Sequence, residues 1–261
     1  MWASAVVAVI VLSVLQLVRS DARLGRVRTD IAQLQAIADG AINIVILSML
    51  GPRESQPPVI GTPFHLRFAD TDIVASVLDE SGKIDLNHTS AQILRGLLAS
   101  VGVEPGPTNA LTEAVLTWRG TPPSGRDRSG LGPGGAPAQH GPFQSVAELQ
   151  LVPGMTDAIF RQISPLLTVA SQIEWIDTAY ADPRILRILA VTDPNARAAL
   201  AQREGIAQGV TPAPSPPGVA LGHAFTIQAQ VNRPDGSRVT RSAVIRLTGQ
   251  PRAPLLVYRW G

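Results

Sequence analysis

The fold is decided by residues 2–50, which read WASAVVAVIVLSVLQLVRSDARLGRVRTDIAQLQAIADGAINIVILSML. The first part, Trp2 to Val18, is almost continuously apolar and carries no charge before Arg19. A membrane-spanning helix needs roughly 17–25 such residues, so this run predicts a membrane anchor. A cleaved secretory signal is the alternative. It is disfavoured because nothing basic precedes the apolar core and residues 19–23 make a poor cleavage site.

Beyond Arg19 the apolar run gives way to an amphipathic pattern. Apolar residues recur at spacings of three and four, the period of one helix face, at Leu24, Val27, Ile31, Leu34, Ala38, Ala41 and Val45. No proline occurs before Pro52, so we expect one helix of about 70 Å from Trp2 to Leu50. Because the hydrocarbon core is only ~30 Å thick, the second half must stand in water and bury its stripe on a β-sheet. Two helices with a bend near Gly25 are the alternative.

Composition places few limits on function. The chain has 261 residues and a net charge of +2, so charge predicts no general affinity for nucleic acid or membrane surfaces. The absence of cysteine excludes disulfides, thiolate nucleophiles and zinc–thiolate sites. No known catalytic motif occurs, and no catalytic residue is predicted from the scattered histidines, which are His65, His88, His140 and His223. A membrane-anchored hydrolase would need carboxylates or histidines that converge only in three dimensions.

Predicted strands lie on both sides of a predicted helical block. Phe64–Phe68 alternates apolar and polar residues, and residues 73–78 and 83–86 flank Asp79–Gly82 as a predicted hairpin. Capping residues and helical spacing predict helices near residues 90–98, 111–118, 146–151, 158–164, 183–190 and 194–208. Residues 120–142 and 209–219 are rich in proline or glycine and read as loops. Three strands are predicted at the end of the chain, at residues 223–231, 238–247 and 254–260.

The economical arrangement is an α+β fold. Residues 1–50 form the membrane and spine helix, and residues 51–87 together with 209–261 form an antiparallel sheet packed on it. Residues 88–208 form a large α-helical insertion domain between the two parts of the sheet.

A candidate metal site lies at the predicted hairpin. Asp79, Glu80, Asp85 and Asn87 bring four oxygen-bearing side chains together within a short stretch, and calcium takes such ligands. The spacing is not that of an EF-hand loop, and Asp, Gly and Asn are also the residues that a turn requires. Calcium is therefore the candidate cofactor, and the turn is the alternative.

Residues 143–155 resemble a helix-hairpin-helix unit. In versions that bind DNA, the hairpin amides and the next helix N-terminus contact phosphate. Here Asp157 stands in that first turn, where it repels phosphate, and only Arg161 follows nearby. We expect a scaffold role and no nucleic-acid partner. A membrane-anchored helix-hairpin-helix DNA-binding protein is the alternative function.

Taken together, four stretches resemble the K-type minor pseudopilins of type II secretion systems (general secretion pathway protein K). The most specific is Asp79–Asn87, DESGKIDLN, which is close to the family's DE-x-GKINLN stretch. The others are the long N-terminal helix, residues 143–169, and Trp175–Ala181 followed by Pro183 and Leu186. The resemblance covers essentially the whole chain.

The resemblance implies a type IV pilin-like fold and a role in assembly rather than catalysis. A protein of this kind initiates or caps the tip of the periplasmic pseudopilus with the I and J subunits and the major pseudopilin. It implies a single pass through the inner membrane, with the folded domain in the periplasm. Family precursors carry a basic leader, cut after glycine by a prepilin peptidase. No such leader precedes the apolar run, so Met1 is expected not to be the biological start.

The charges flanking the apolar run do not give that orientation. Four arginines follow the run, and the positive-inside rule would place them in the cytoplasm, namely Arg19, Arg23, Arg26 and Arg28. The periplasmic placement therefore depends on the resemblance.

Overall fold

The computed structural model describes Trp2 and residues 29–68, 71–120, 141–209, 218–233 and 236–261. Within these residues the helices are α1 (Thr29–Leu50), α2 (Ala91–Ser100), α3 (Pro105–Trp118), α4 (Asp157–Ile163), α5 (Pro183–Leu189) and α6 (Pro194–Ala207). The strands are β1 (Phe64–Phe68), β2 (Thr71–Asp79), β3 (Ile84–Asp85), β4 (Leu167–Thr168), β5 (Ala224–Asn232), β6 (Arg238–Leu247) and β7 (Leu255–Trp260). Short 3-10 helices cover Arg53–Ser55, Glu80–Gly82, Val146–Leu151 and Ser164–Leu166.

The main sheet has five antiparallel strands in the order β1-β2-β5-β6-β7. Alternate residues of the central strands are fully buried, as a half-covered sheet requires. These residues and the inner face of α1 form the first core, which includes Ile73, Val77, Phe225, Ile227, Ala243 and Ile245. The predicted antiparallel sheet packed on the N-terminal helix is thereby confirmed.

Helix α1 buries most of the predicted apolar stripe. Leu34, Ala38, Ala41 and Val45 are buried against the sheet, whereas Ile31 is exposed, contrary to the prediction. Gly40 permits the close approach of sheet to helix, since a Cβ there would lie 2.4 Å from the Phe68 ring. Leu24, Val27, the bend near Gly25 and the predicted anchor beyond Trp2 lie outside the described residues, as does most of the predicted loop at 120–142.

Among the described residues, α1 is long and apolar enough to cross a membrane by length and composition alone. A core helix of a water-facing domain satisfies the same criterion, and one face of α1 is committed to the sheet.

The predicted hairpin at Asp79–Gly82 is wrong. Strand β2 pairs with β1 on one edge and β5 on the other, so no edge is free for a returning strand. The chain instead turns through the 3-10 helix Glu80–Gly82, and β3 then pairs in parallel with β4, as Ile84 lies opposite Leu167. Sequence reasoning missed this pairing because β3 and β4 are far apart in the chain.

We call the residues from Glu80, which follows β2, to Ala207, which ends α6, the helical segment. They enclose a second core that includes Leu94, Leu97, Leu111, Val115, Leu149, Ile163, Leu166, Ile185 and Leu186. Ile84 and Leu86, assigned to the sheet from sequence, also pack in this core. The predicted boundaries at 88 and 208 stay predictions.

The helical segment lies at the end of the sheet where α1 ends. At that end Gln56 bonds back to Met49 and accepts from the amide of Val219, just before β5. At the opposite end, where β5 leads into β6, Arg233 pairs with Asp30 near the start of α1 at 3.4 Å. The helical segment therefore projects away from the N-terminal end of α1.

Candidate functional site at the junction of the two cores

Asp79 ends β2 and is completely buried. Its Oδ1 accepts hydrogen bonds from the Ser81 amide at 2.9 Å and the Ser81 hydroxyl at 2.6 Å, which holds the turn into the helical segment. Its Oδ2 lies 2.8 Å from Nδ1 of His223, just before β5. Asp79 thus ties β2, the turn and β5 together at one point.

Glu80 also bridges the sheet and the helical segment. Its Oε1 accepts from Thr226 of β5 at 2.7 Å and from Lys83 at 2.8 Å. Because Glu80 is almost fully buried, its charge requires such donors. Lys83, the only lysine in the chain, therefore serves as the counter-ion of a buried carboxylate.

Asp85 joins two distant parts of the helical segment. Its Oδ1 accepts from the Asn87 amide at 2.9 Å and lies 3.0 Å from Nδ1 of His88. Its Oδ2 accepts from the Ser171 hydroxyl at 2.9 Å and the Gln172 amide at 2.8 Å. These bonds hold the loop after β4 against the chain that leads into α2, beside the parallel pair of short strands.

Asn87 and Arg119 connect the chain between β3 and α2 with distant parts of the helical segment. The amide group of Asn87 exchanges two hydrogen bonds with the backbone of Phe143, at 2.9 and 2.7 Å. The guanidinium of Arg119 donates to the carbonyls of Leu86 and Thr89. Asn87 is thus a backbone-bridging residue in this structure.

The candidate metal ligands are engaged in hydrogen bonds. Asp79, Glu80, Asp85 and Asn87 face different partners, and no group of three or more His, Asp or Glu residues in the described chain is arranged to hold a metal. A calcium site at these residues stays a proposal. The arrangement favours the structural role of this stretch, since each carboxylate already has its donors.

The stability conferred by Asp79 is expected to depend on pH. Burial raises the pKa of this carboxyl above 3.8, although hydrogen bonds from Ser81 and His223 partly oppose the effect. The folded state therefore keeps the proton to higher pH than the unfolded state does. The contribution of Asp79 is full below pH 3.8 and is lost as the pH rises through the folded-state pKa.

The measurement is urea unfolding of the wild type and D79N between about pH 4 and pH 7. The free energy of unfolding of the wild type minus that of D79N should decrease as the pH rises. A difference that increases with pH would mean that the hydrogen bonds to the charged form outweigh burial.

The stretch that resembles a helix-hairpin-helix unit has a structural role in this chain. The turn Val152–Met155 forms as predicted, with the Met155 amide bonded to the Val152 carbonyl at 3.1 Å. Leu149 and Ile163, on either side of the turn, are buried in the second core. The exposed carboxylate of Asp157 stands in the first turn of the short helix α4, where it disfavours phosphate.

The histidines do not form a catalytic group in the described chain. His65 is exposed on β1, His88 pairs with Asp85, and His140 lies outside the described residues. His223 pairs with Asp79, but the nearby Ser81 hydroxyl donates to that same carboxylate. A nucleophile aligned on the imidazole, which a hydrolase of this kind needs, is therefore not formed by Ser81.

A second candidate site lies on the side of α1 that faces away from the sheet. The exposed residues at helical spacing form what we call the outer stripe, consisting of Ala32, Ala36, Asn43, Leu47 and Leu50. Leu47 is 68% exposed. The apolar periodicity predicted only the stripe of α1 that packs on the sheet. The signal for the outer one is the pair of alanines four residues apart followed by two leucines.

The part of the chain around the junction is similar to known proteins. Residues 73–172 match the family model described as type II secretion system (T2SS), protein K. One chain of the crystal structure of the GspK–GspI–GspJ complex from the enterotoxigenic Escherichia coli type 2 secretion system has the same fold, with a TM-score of 0.51 and 16% identity. That alignment covers 94% of this chain and 99% of the other. A comparison with curated protein sequences gives no match.

Proposed function

We propose that this chain, whose residues 73–172 match the protein K family of the type II secretion system, is a minor pseudopilin that initiates or caps the pseudopilus tip. The family match carries the proposal, because it includes both the Asp79–Asn87 stretch and the turn at Val152–Met155. The partners are the I- and J-type minor pseudopilins and the major pseudopilin. The DNA-binding alternative has no support from the electrostatics of α4.

The apolar sequence from Trp2 to Val18 is the proposed inner-membrane anchor. Helix α1 cannot take that role without leaving the sheet, because its inner face is the middle of the first core. The folded domain then stands in the periplasm, and a prepilin peptidase would process a leader upstream of the anchor. As a structural subunit, the chain acts without catalysis.

The outer stripe supports assembly by helix packing. Small residues at positions 32 and 36 let another helix approach closely, and Leu47 and Leu50 offer apolar side chains to it. Because the inner face of α1 is already packed on the sheet, the outer stripe is the part of α1 available to a neighbouring subunit. Apolar helices can thereby bundle side by side.

The helical segment supports placement at a filament end. We propose that it is the large insertion domain of the K type. The contacts of Gln56 with Met49 and Val219 support its projection beyond the end of α1 that is farther from the proposed anchor. A subunit stacked farther from the membrane would have to occupy the same space, so a subunit with this bulk fits only at the tip.

Replacing Leu47 with glutamate is expected to weaken binding to the I and J subunits about ten-fold or more, because a charge would be buried in the helix contact. The free energy of unfolding should change by less than about 0.5 kcal/mol, since Leu47 is a surface residue. Affinity is measured with the full chain in detergent and purified I and J subunits.

The matched control is Leu151→Glu. Leu151 has the same 68% exposure as Leu47 but lies on the helical segment, away from α1. This variant should bind as the wild type does. Failure of the wild type to bind either subunit would contradict the proposed function, and equal losses in both variants would contradict the role of the outer stripe.

Placement at the tip has a separate test. Gold-labelled antibody against the chain should mark the ends of pseudopili in electron micrographs. Label along the filament shafts would rule out the capping role.

A further inference from the structure

The two edges of the main sheet differ in what they expose. On β1 the exposed side chains are His65 and Arg67, and polar or charged side chains discourage pairing with another strand. On β7 three consecutive apolar side chains are 48%, 52% and 41% exposed, namely Leu256, Val257 and Tyr258. An edge of this second kind is an open template for strand addition.

The ladder between β6 and β7 shows which backbone groups are available. Thr248 donates its amide to the Pro254 carbonyl at 3.0 Å. Because hydrogen-bonded pairs alternate along an antiparallel ladder, the next such pair is Arg246 with Leu256. The backbone amide and carbonyl of Leu256 therefore point toward β6, whereas the amides of Leu255 and Val257 point away from it. After the pair Ile245–Val257 the register between β6 and β7 shifts, so that Val244 lies opposite Arg259. Within the described chain no strand lies beyond β7.

The charges near β7 indicate what kind of strand can pair with it. Between Arg238 and Gly261 the chain has five arginines and no aspartate or glutamate. Arg241 is held by an ion pair with α1, but Arg252 and Arg259 are exposed near the two ends of β7. A complementary strand has apolar residues at its centre and carboxylates toward its ends.

The edge is continuous with α1. Trp260 of β7 donates its indole N–H to Asp39 of α1 at 2.9 Å, and the same carboxylate receives Arg241 of β6 at 3.0 Å. A subunit that lies along the outer stripe of α1 therefore meets β7 as well.

We propose that β7 is a strand-addition site, at which an extended, acidic-flanked segment of an adjoining minor pseudopilin of the I or J type joins the sheet. The identity of this partner rests on the proposed function. The chemistry of the added strand follows from the unpaired backbone groups, the apolar side chains and the two arginines of the edge.

The test is Val257→Pro in the full chain in detergent, with binding of the I and J subunits as the readout. Proline removes the outward amide of Val257 and leaves the bonds between β6 and β7 in place. We expect at least a ten-fold loss of affinity, with an unchanged circular dichroism spectrum. The control is Val257→Thr, which keeps the amide and should bind within about three-fold of the wild type.

A measurement on the wild type avoids any folding defect of the proline variant. Amide hydrogen exchange of Leu255 and Val257 should slow at least ten-fold when the partner subunits bind, because these amides become bonded. Unchanged exchange of both amides in the complex would overturn the strand-addition site.

The outcomes separate the two proposals. If L47E weakens binding and V257P does not, the proposed function stands and the strand-addition site is wrong. If the wild type binds neither subunit, the proposed function itself fails. If V257P abolishes self-association instead, the occupant is a second copy of this chain, and the proposed partner is wrong.

Discussion

Replacing Gly82 with alanine is expected to lower the free energy of unfolding by about 3 kcal/mol or more. A Cβ at this position would lie 2.4 Å from both the carbonyl carbon and the carbonyl oxygen of Tyr180, and 2.7 Å from the amide nitrogen of Ala181. These are backbone atoms, so no rotamer change relieves the overlap. The loop would have to move away from the 3-10 helix, which would break the 2.9 Å bond from the Asp177 amide to the Ser81 carbonyl.

The control for this substitution is Gly106→Ala in the first turn of α3. Apart from the two neighbouring residues and the nearby backbone of α3, no atom of the described chain lies within 4 Å of a Cβ built there. Alanine should therefore leave stability unchanged or raise it by up to about 1 kcal/mol through its higher helix propensity. Urea unfolding followed by tryptophan fluorescence compares the two variants. Similar small effects at both positions would show that the turn does not need the close approach at Gly82.

Replacing Asp85 with alanine is expected to cost about 3–5 kcal/mol, because buried donors lose a charged acceptor all at once. The carboxylate is buried and accepts from the Asn87 amide, the Ser171 hydroxyl and the Gln172 amide. Alanine leaves the Ser171 hydroxyl buried without its partner. The loop after β4 should then detach, and protection of the Gln172 amide from hydrogen exchange should fall.

Asp193→Ala is the matched control. Asp193 also accepts from an amide two residues ahead, that of Asn195 at 2.8 Å, but it caps the exposed start of α6. Its loss should cost only about 1 kcal/mol, the usual value of a helix cap. Equal losses at the two positions would mean that the long-range bonds of Asp85 contribute nothing.

Gly82 and Asp85 lie in a stretch whose structure the sequence predicted only in part. The stretch DESGKIDLN was predicted to form a hairpin, which is wrong, and to be a candidate calcium site, which stays a prediction. The turn chemistry of Asp79–Gly82 is local and was recognisable. The parallel pairing of Ile84 with Leu167 depends on residues distant in the chain, and so does the use of the Asp85 carboxylate by Ser171. No local pattern encodes such pairs.

The exposed surfaces of α1 and β7 also could not be predicted from the sequence. A helical stripe predicts that a face is buried, but it does not say what covers the other face. Whether Leu47 and Val257 are exposed follows only from which strands lie at the sheet edges and from where α1 sits on the sheet. The proposed contacts with partner subunits depend on those tertiary facts.

The sequence by itself determined the elements of this protein, because apolar periodicity, caps and turn residues act over a few neighbouring residues. It thereby predicted the amphipathic α1, the strands of the sheet and most helices between them. The tertiary structure alone decided that Asp79 and Glu80 join the sheet to the helical segment and that Asp85 joins two distant parts of that segment. The physical reason is that a buried carboxylate is stable only beside its donors, and those donors come from strands and loops far away in the chain.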